Sequence, residues 1–263
     1  MLNKKNKLST TNSLIGLLIV LNLVLGNFSQ PVRAEQTEKT NSNYGIPTHR
    51  RDGGSRSSSE NCITNSRNLV ALIPNNILAS TASASPKLFF YVPEISKEKT
   101  IEFVLRDQQD KLIYEAFLTT SGKGIITLEI PANLQSNLLK AEQNYHWYLS
   151  MICDSQQRSR DVVVEGLMRQ AALDPATKKE LNSSNSVEKA ALYQEKGFWY
   201  DALSVLAENQ DSPGEQALVA AKWSEVLESV GLGELASEPF VDSELVKNSA
   251  SSESTQDGLS SEF

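Results

Sequence analysis

A histidine and a serine, His146 and Ser150, are predicted to share one face of a β-strand. A serine activated by a nearby histidine is a common nucleophile, and it requires the two side chains to lie within hydrogen-bonding distance. Residues four apart in a strand are separated by roughly 13 Å, because the chain rises about 3.3 Å per residue. The spacing therefore argues against a Ser–His pair and favours His146 as a surface histidine or a member of a tyrosine cluster.

Three acidic residues, Asp154, Asp161 and Glu165, are predicted near one end of the same set of strands. Asp154 ends one predicted strand and Asp161 opens the next, so their carboxyl groups could act as paired acid and base catalysts. Solubility of the loop explains these residues equally well. A calcium site needs more oxygen ligands than these three residues are expected to supply, and no D-x-D-x-D-G pattern is present. Acid catalysis and a cation site are therefore open alternatives, and neither is the favoured interpretation.

The two cysteines, Cys62 and Cys153, are predicted to form a disulfide bond. With two cysteines and two histidines in the whole chain, zinc and iron–sulfur sites with several ligands are nearly excluded, and no cofactor is expected. The bond would close a loop of about 90 residues, for which loop entropy gives about 4.5 kcal/mol of stabilisation. A catalytic thiol is the alternative, but there is no C-x-x-C motif and neither histidine is adjacent in the sequence.

A basic cluster precedes the predicted strands in a chain that is otherwise acidic, with 25 Lys and Arg against 32 Asp and Glu. Its members are Arg50, Arg51, Arg56 and Arg67. The cluster could bind an anionic glycan, a lipid head group or an acidic partner, and a solvated linker is the alternative interpretation. The acidity of the whole chain argues against nucleic acid as a partner.

Three consecutive aromatic residues, Phe198, Trp199 and Tyr200, begin a predicted helix. Successive residues point about 100° apart around a helix, so the three cannot all face one core. Packing at the junction between the strands and the helices is the favoured role. An exposed anchor for a partner, at Trp199, is the alternative.

Seven short runs with strand-like patterns position these residues. The clearest run has Ile101, Phe103 and Leu105 on one face, which is the period of a half-buried strand. The runs cover residues 69–73, 87–92, 100–106, 111–119, 124–130, 145–153 and 161–169, and residues 107–110 are predicted to form a hairpin turn. Seven strands in about 100 residues predict an immunoglobulin-like antiparallel β-sandwich. Tyr145 is expected to form a tyrosine corner, although its spacing to Cys153 differs from that of immunoglobulin domains.

The periodicity becomes helical after Asp174-Pro175. Helices are predicted over residues 187–196, 198–208 and 215–230, with Gly197 ending the first. Residues with the spacing of half a tetratricopeptide repeat are Tyr193, Gly197, Trp199, Ala202, Leu206 and Pro213. One and a half repeats cannot form a solenoid, since each repeat needs neighbours to bury its face. We therefore expect a small tetratricopeptide-like subdomain that acts as a cap, with a peptide-binding groove as the alternative.

The first 34 residues have the pattern of a cleaved signal peptide. A basic start precedes an apolar run over residues 14–25, and a small-x-small cleavage motif ends at Ala34. The run is shorter than the roughly 20 residues needed to span a bilayer. We therefore expect an exported protein, periplasmic or extracellular, with no stable transmembrane segment after cleavage. An uncleaved membrane anchor is the alternative.

The predicted fold class is α+β, and the composition, 40% hydrophobic and 22% charged, is that of a globular protein. The predicted parts are a signal peptide (1–34), a flexible linker rich in Arg, Gly and Ser (35–60), a β-sandwich domain (61–172), a helical subdomain (173–241) and a disordered tail (242–263).

Several short motifs are spread over the chain from about residue 50 to residue 240. They are an Arg- and Gly-rich segment before Cys62 and residues 69–74, 89–93, 145–148, 152–154, 164–166 and 199–203. Together they resemble the cyanobacterial DUF928 proteins, a family of unknown function. The resemblance implies an exported protein of a cyanobacterium and brings no catalytic residues with it.

From the sequence we expect an exported, non-enzymatic binding or adaptor protein with an unknown protein or glycan partner in the cell envelope. A hydrolase that uses the three acidic residues is one alternative, and a structural component of the envelope held by its N-terminal segment is another. The candidate partner-binding residues are Arg50, Arg51, Arg56 and Trp199.

Overall fold

The alternating pattern of the central strands builds one long β-hairpin, about which the other elements are arranged. In the computed structural model, the described residues are 50–51, 62–64, 67–75, 77–132 and 138–246. The strands are β1 (Val70–Ala71), β2 (Ala79–Thr81), β3 (Lys87–Asp107), β4 (Leu112–Glu129), β5 (Gln143–Met151), β6 (Val162–Gln170) and β7 (Glu244–Leu245). The helices are α1 (Pro175–Ser183), α2 (Ser186–Glu195), α3 (Trp199–Glu208) and α4 (Gln216–Ser229).

The hairpin of β3 and β4 replaces four shorter strands that the sequence predicts. The two strands pair along their length except at two irregularities. The larger of these is a shift of register between Glu94 and Lys99. The period-two pattern is lost at this irregularity, which is why a sequence pattern divides each strand in two. The predicted turn is confirmed, because the Asp107 carboxylate accepts hydrogen bonds from the backbone N–H groups of Gln109 and Lys111.

The strands of the described residues form one sheet. Its order is β2-β6-β5-β3-β4-β7, and β1 pairs with the first half of β3. The pairs are antiparallel, except that β2 runs parallel to β6. The predicted α+β fold class is confirmed, because the described residues form both a sheet and helices. A sandwich requires two packed sheets, whereas hydrogen bonds join all these strands in a single sheet. The sandwich therefore stays a prediction.

One face of the sheet forms the hydrophobic core. On β5 the buried side chains alternate with half-buried ones, as the sequence predicts. Phe90, from the first half of β3, packs edge-on against Trp147 of β5 with the ring centroids 5.4 Å apart. Phe103, from the second half of β3, belongs to the same buried cluster, so both halves of the hairpin contribute to one core. Tyr145 makes the contact expected of a tyrosine corner, because its hydroxyl group accepts a 2.7 Å hydrogen bond from the Lys140 backbone N–H.

Local signals define the helices. α1, which the sequence analysis does not predict, begins after Asp174, whose carboxylate accepts hydrogen bonds from two backbone N–H groups of the first turn. α2 begins with a capping box formed by Asn185 and Glu188. Gly197, with a φ of +80°, follows the end of α2 as predicted. The three predicted helices agree with α2, α3 and α4 to within one residue at each end, and their likeness to a tetratricopeptide repeat stays a prediction.

Some predictions concern the ends of the chain. The signal peptide (1–34), most of the linker and residues 247–263 of the tail lie outside the described residues. Residues 242–246, which the composition assigns to the tail, reach the sheet instead, where β7 pairs with Leu118 and Thr119 of β4. Within the described part of the chain, no helix has both the length and the apolar composition needed to cross a membrane.

The predicted disulfide bond is confirmed, with the Sγ atoms of Cys62 and Cys153 2.06 Å apart. It joins the segment before β1 to the residues just after β5, across a sequence separation of 91. Cys62 is fully buried, so the crosslink fastens the N-terminal segment to the core.

Replacement of both cysteines by alanine is expected to lower the free energy of unfolding by about 2–4.5 kcal/mol. The reason is that the unfolded chain regains the conformational freedom of the open loop. Urea denaturation of the double variant beside the oxidised wild type measures the loss. A loss below about 1 kcal/mol would contradict the stabilising role assigned to the bond.

Gly166 of β6 lies against the ring of Trp147. A Cβ atom at position 166 would lie 2.3 Å from Trp147 Cζ2 and 2.8 Å from Ile73 Cδ1, and both neighbours are core side chains. Gly166→Ala is therefore expected to lower the free energy of unfolding by about 1–3 kcal/mol through overpacking. Val163→Ala, on the more exposed face of the same strand, is the control and should cost less than about 1 kcal/mol. The expectation is wrong if the two variants unfold at the same denaturant concentration.

Candidate functional site

Helix α3 is held against the sheet by the aromatic residues at its start. Trp199 Nε1 donates a 2.7 Å hydrogen bond to the Leu72 carbonyl oxygen. Tyr200 Oη donates to the Leu167 carbonyl oxygen at 3.2 Å and accepts a 3.0 Å hydrogen bond from Trp147 Nε1. The three consecutive aromatic side chains are all buried, because different faces of the helix contact different neighbours.

The position of α3 brings one acidic side chain, Asp201, to the end of β2. Asp201 directly follows Tyr200 and is 8% exposed. Its Oδ2 atom accepts a 3.0 Å hydrogen bond from the Ala82 backbone N–H. The Thr81 side chain and the Ser83 backbone N–H also hydrogen-bond to the carboxyl group. These donors are neutral, so the carboxyl group has hydrogen bonds but no ion-pair partner among the described residues.

Burial changes the ionisation of this carboxyl group. It raises the pKa of Asp201 from an ordinary value of 3.8 to about 6, because the charged form is disfavoured away from water, and the hydrogen bonds offset only part of this effect. Burial and the charge of Asp201 also raise the pKa of the Tyr193 phenol on α2. Tyr193 therefore lies within electrostatic reach of Asp201. Titratable groups perturbed in this way mark candidate functional sites when they border a cleft.

Asp201 forms part of the wall of a cleft of about 350 Å³ between the helices and the sheet. This volume is at the lower end of the range of ligand-binding sites. Tyr193 and Ser204 line the cleft from the helices. Lys87 and Glu208 also belong to the lining and form an ion pair with Nζ and Oε1 2.6 Å apart.

The polar groups of the cleft suit recognition of a small ligand. Ser204 Oγ donates to the Tyr200 carbonyl oxygen and Ser85 Oγ to the Ile130 carbonyl oxygen, so both hydroxyl groups are fixed in position. Among the described residues that line the cleft there is no histidine or cysteine to activate a hydroxyl group. No cluster of three or more metal-ligating side chains occurs in the described residues.

His146 lies on the other face of the sheet from the core. Its Nε2 atom is 2.9 Å from Glu165 Oε2, and its Nδ1 atom is 2.9 Å from Tyr148 Oη. The His146 and Tyr148 ring centroids are 4.2 Å apart. His146 therefore contacts one tyrosine, Tyr148, and both its ring nitrogens contact residues other than Ser150.

The three acidic residues of the hydrolase hypothesis contact three different side chains. Asp161 pairs with Arg158, Asp154 with Arg160, and Glu165 with His146. The structure thus records separate pairs rather than one shared carboxylate site. Hydrolysis by these residues stays a prediction, and no contact described here favours it.

Two of the candidate partner-binding residues are buried within the fold. Arg50 is 6% exposed, and its Nη1 atom donates hydrogen bonds to the carbonyl oxygens of Ile73 and Val230. Trp199 is 5% exposed, and its indole N–H is bound to the backbone as described above. Partner binding by this set of residues stays a prediction, since in the structure these two side chains hold the fold together.

The other arginines of the predicted cluster have intramolecular roles where they are described. Arg51 forms an ion pair with Glu234, and Arg67 forms one with Glu238, so both reach the segment after α4. Arg56 lies outside the described residues. A chain segment predicted as a solvated linker therefore contributes contacts at residues 50 and 51.

Sequence reasoning does not single out Asp201, although a signal for it is present. The residue stands in α3 among aromatic and apolar neighbours that are themselves buried. An acidic residue in such a helix needs hydrogen-bond donors or a proton of its own. The sequence does not show that the end of β2 and the residues after it supply the donors, because Ala82 and Asp201 are 119 residues apart.

A family model described as Domain of Unknown Function (DUF928) matches residues 51–240. The match covers more than half of the chain and includes the residues of the cleft and all the elements except β7. The resemblance found in the sequence motifs is thereby confirmed. No curated protein and no solved structure matches the chain.

The Asp201 carboxyl group is expected to make the protein less stable as the pH rises from about 4 to about 7. Its pKa is higher in the folded state, so the folded state binds the proton more tightly. The stabilisation is fully present below pH 3.8 and is lost as the pH passes about 6. The rise of this pKa corresponds to a change of about 3 kcal/mol in the free energy of unfolding from this one group.

The test is the free energy of unfolding of wild type and Asp201→Asn across this pH range. The difference between the two proteins isolates Asp201 from carboxyl groups such as Glu142 and Asp174, whose lowered pKa values act in the opposite direction. Wild type should lose stability relative to the variant as the pH rises. Parallel curves for the two proteins would show that Asp201 titrates at its ordinary value.

Proposed function

The chain belongs to the DUF928 family, and we propose that this member is an exported, non-enzymatic binding protein whose ligand occupies the cleft beside Asp201. The observation that carries the proposal is the buried Asp201 carboxyl group in the wall of that cleft. Burying a carboxyl group without an ion-pair partner opposes folding. The residue is therefore poorly explained by stability alone and better explained by a ligand that it contacts.

The composition of the cleft supports binding rather than catalysis. Ser204 Oγ and Ser85 Oγ donate hydrogen bonds to backbone carbonyl oxygens, Ser85 Oγ also donates to Glu129 Oε1, and the described lining contains no histidine or cysteine. Fixed polar groups of this kind determine the orientation and specificity of a bound ligand. A binding or adaptor role uses these features directly.

The proposal includes export, with residues 1–34 as a signal peptide that is cleaved after Ala34. The Cys62–Cys153 bond supports this location, because disulfide bonds persist in oxidising compartments and are rare in the cytosol. The family resemblance suggests the periplasm or outer surface of a cyanobacterium. The ligand there would be a protein or glycan of the envelope or a small molecule bound to one.

We also propose that α2 and α3 form a tetratricopeptide-like pair that caps a sandwich-like strand core. Tyr193 of α2 packs against Phe198, at the start of α3, with ring centroids 6.3 Å apart. The contact of Phe90 with Trp147 supports packing of the first half of β3 against β5. In this arrangement the helical cap and the strands each contribute a wall of the cleft.

Site-specific photo-crosslinking in the native cells tests this function. A photoreactive residue at Glu208, in the cleft, is expected to give a discrete adduct from the periplasmic fraction, on a bait whose N-terminus is Glu35. The control position is Glu225 of α4, an exposed helical glutamate that, like Glu208, pairs with a lysine. The Glu208 adduct should be lost when Asp201→Asn is added.

Equal labelling at positions 208 and 225 would contradict the proposed binding function. An adduct that survives Asp201→Asn would show that the cleft is not the site. A bait that keeps residues 1–34 and stays in the membrane pellet would overturn export and favour an anchored structural component.

A further inference from the structure

We propose that the ligand of the cleft presents a positively charged nitrogen, an alkylammonium or guanidinium group, which binds beside the Asp201 carboxylate and the Tyr193 ring. This inference rests on the proposed function and names the chemistry of its ligand. It concerns one head group, whether a free amine or a basic side chain of a protein carries it.

The first argument is the set of contacts that Asp201 makes. Its hydrogen bonds come from Ala82, Thr81 and Ser83, which are all neutral donors. Lys87 is the one cationic side chain in the described lining of the cleft, and it is bound to Glu208. The carboxyl group therefore has neutral donors from residues 81–83 and faces a cleft whose one described cation is already paired with Glu208.

The second argument is electrostatic. A carboxylate in a partly dehydrated site is strongly stabilised by a cation brought within a few ångströms, because the intervening medium screens the attraction poorly. Asp201 and Glu208 outnumber Lys87 in the lining, so the cleft carries a net negative charge when Asp201 is ionised. The whole chain also has a net charge of −7, which favours the approach of cations over anions.

The third argument is the aromatic side chain across the cleft. Tyr193 is half-buried, lines the same cleft and is influenced by the charge of Asp201. The face of a tyrosine ring attracts ammonium and guanidinium groups. A carboxylate together with an aromatic face forms a cation site in a cleft of about 350 Å³, which has room for a head group and a short chain.

Binding of a cation should be coupled to loss of a proton from Asp201. The charged and titratable groups that face it across the cleft are Tyr193 from α2, Lys87 from β3 and Glu208 from α3. Asp201 is half protonated near pH 6, and the protonated form offers no charge to the ligand. The affinity for a cation should therefore rise through this pH range, by about tenfold or more between pH 4.5 and 7.5.

The test uses the oxidised mature protein and four small probes followed by nuclear magnetic resonance. The cationic probes are n-butylammonium and n-butylguanidinium, and the controls of similar length are n-butanol and butyrate. We expect both cations to shift resonances of residues that line the cleft, with tighter binding at the higher pH. Asp201→Asn should remove the binding and its pH dependence, whereas Asp211→Asn, an exposed position beyond α3, should retain both.

The pH dependence in wild type is a test that does not depend on the folding of a variant. Failure of both cations to bind in the cleft, or binding of butanol or butyrate as tight as that of the cations, would overturn the inference. If the Glu208 crosslink still forms in that case, the binding function stands and only the ligand class is wrong. Comparison of n-butylammonium with N-acetyl-lysine methylamide distinguishes a free amine from a lysine side chain.

Discussion

The hydrogen bonds from Trp199 and Tyr200 to backbone carbonyl groups fix the position of α3, and the geometry around the cleft follows from that position. Aromatic side chains with a polar atom can be buried at little cost only when that atom finds a partner. Here the partners belong to the strand region, so the helix can dock in one register. The turn before α3 adds a further constraint, because the Gly197 carbonyl oxygen accepts a hydrogen bond from the Ser80 backbone N–H of β2.

The buried position of Asp201 is a consequence of this docking, and the cost of burying its carboxyl group opposes the docking. Its neighbours in α3 are buried for packing, and the same helical turn carries the carboxyl group into the dehydrated space at the end of β2. The hydrogen bonds from residues 81–83, at the end of β2, compensate only part of the desolvation. The rigid packing of the aromatic residues thus holds in place a polar group that would otherwise rotate into water, and the proposed binding site depends on this rigidity.

Local patterns in the sequence locate the long strands and three of the helices, because alternation and capping are properties of neighbouring residues. Strand β2 has only three residues and no readable period, and its parallel pairing with β6 depends on tertiary contacts. The sequence shows these arginines only as a basic cluster, because their partners are far along the chain, such as the Val230 carbonyl oxygen for Arg50. The disulfide is predictable, because two cysteines allow a single pairing within the chain. The Asp201 site is not predictable in this way, since its donors lie at and just after the end of a strand that the pattern does not reveal.

The contacts of Arg50 and Arg51 with the region after α4 join the two ends of the matched domain. Arg50 and Val230 are 180 residues apart, and Arg51 and Glu234 are 183 residues apart. Contacts with such large sequence separation form only after the intervening chain has been synthesised and ordered. A nascent chain therefore lacks this closure until residues beyond 234 have left the ribosome. If the chain is translocated in an unfolded state, the compartment that receives its C-terminal part is where the domain is completed.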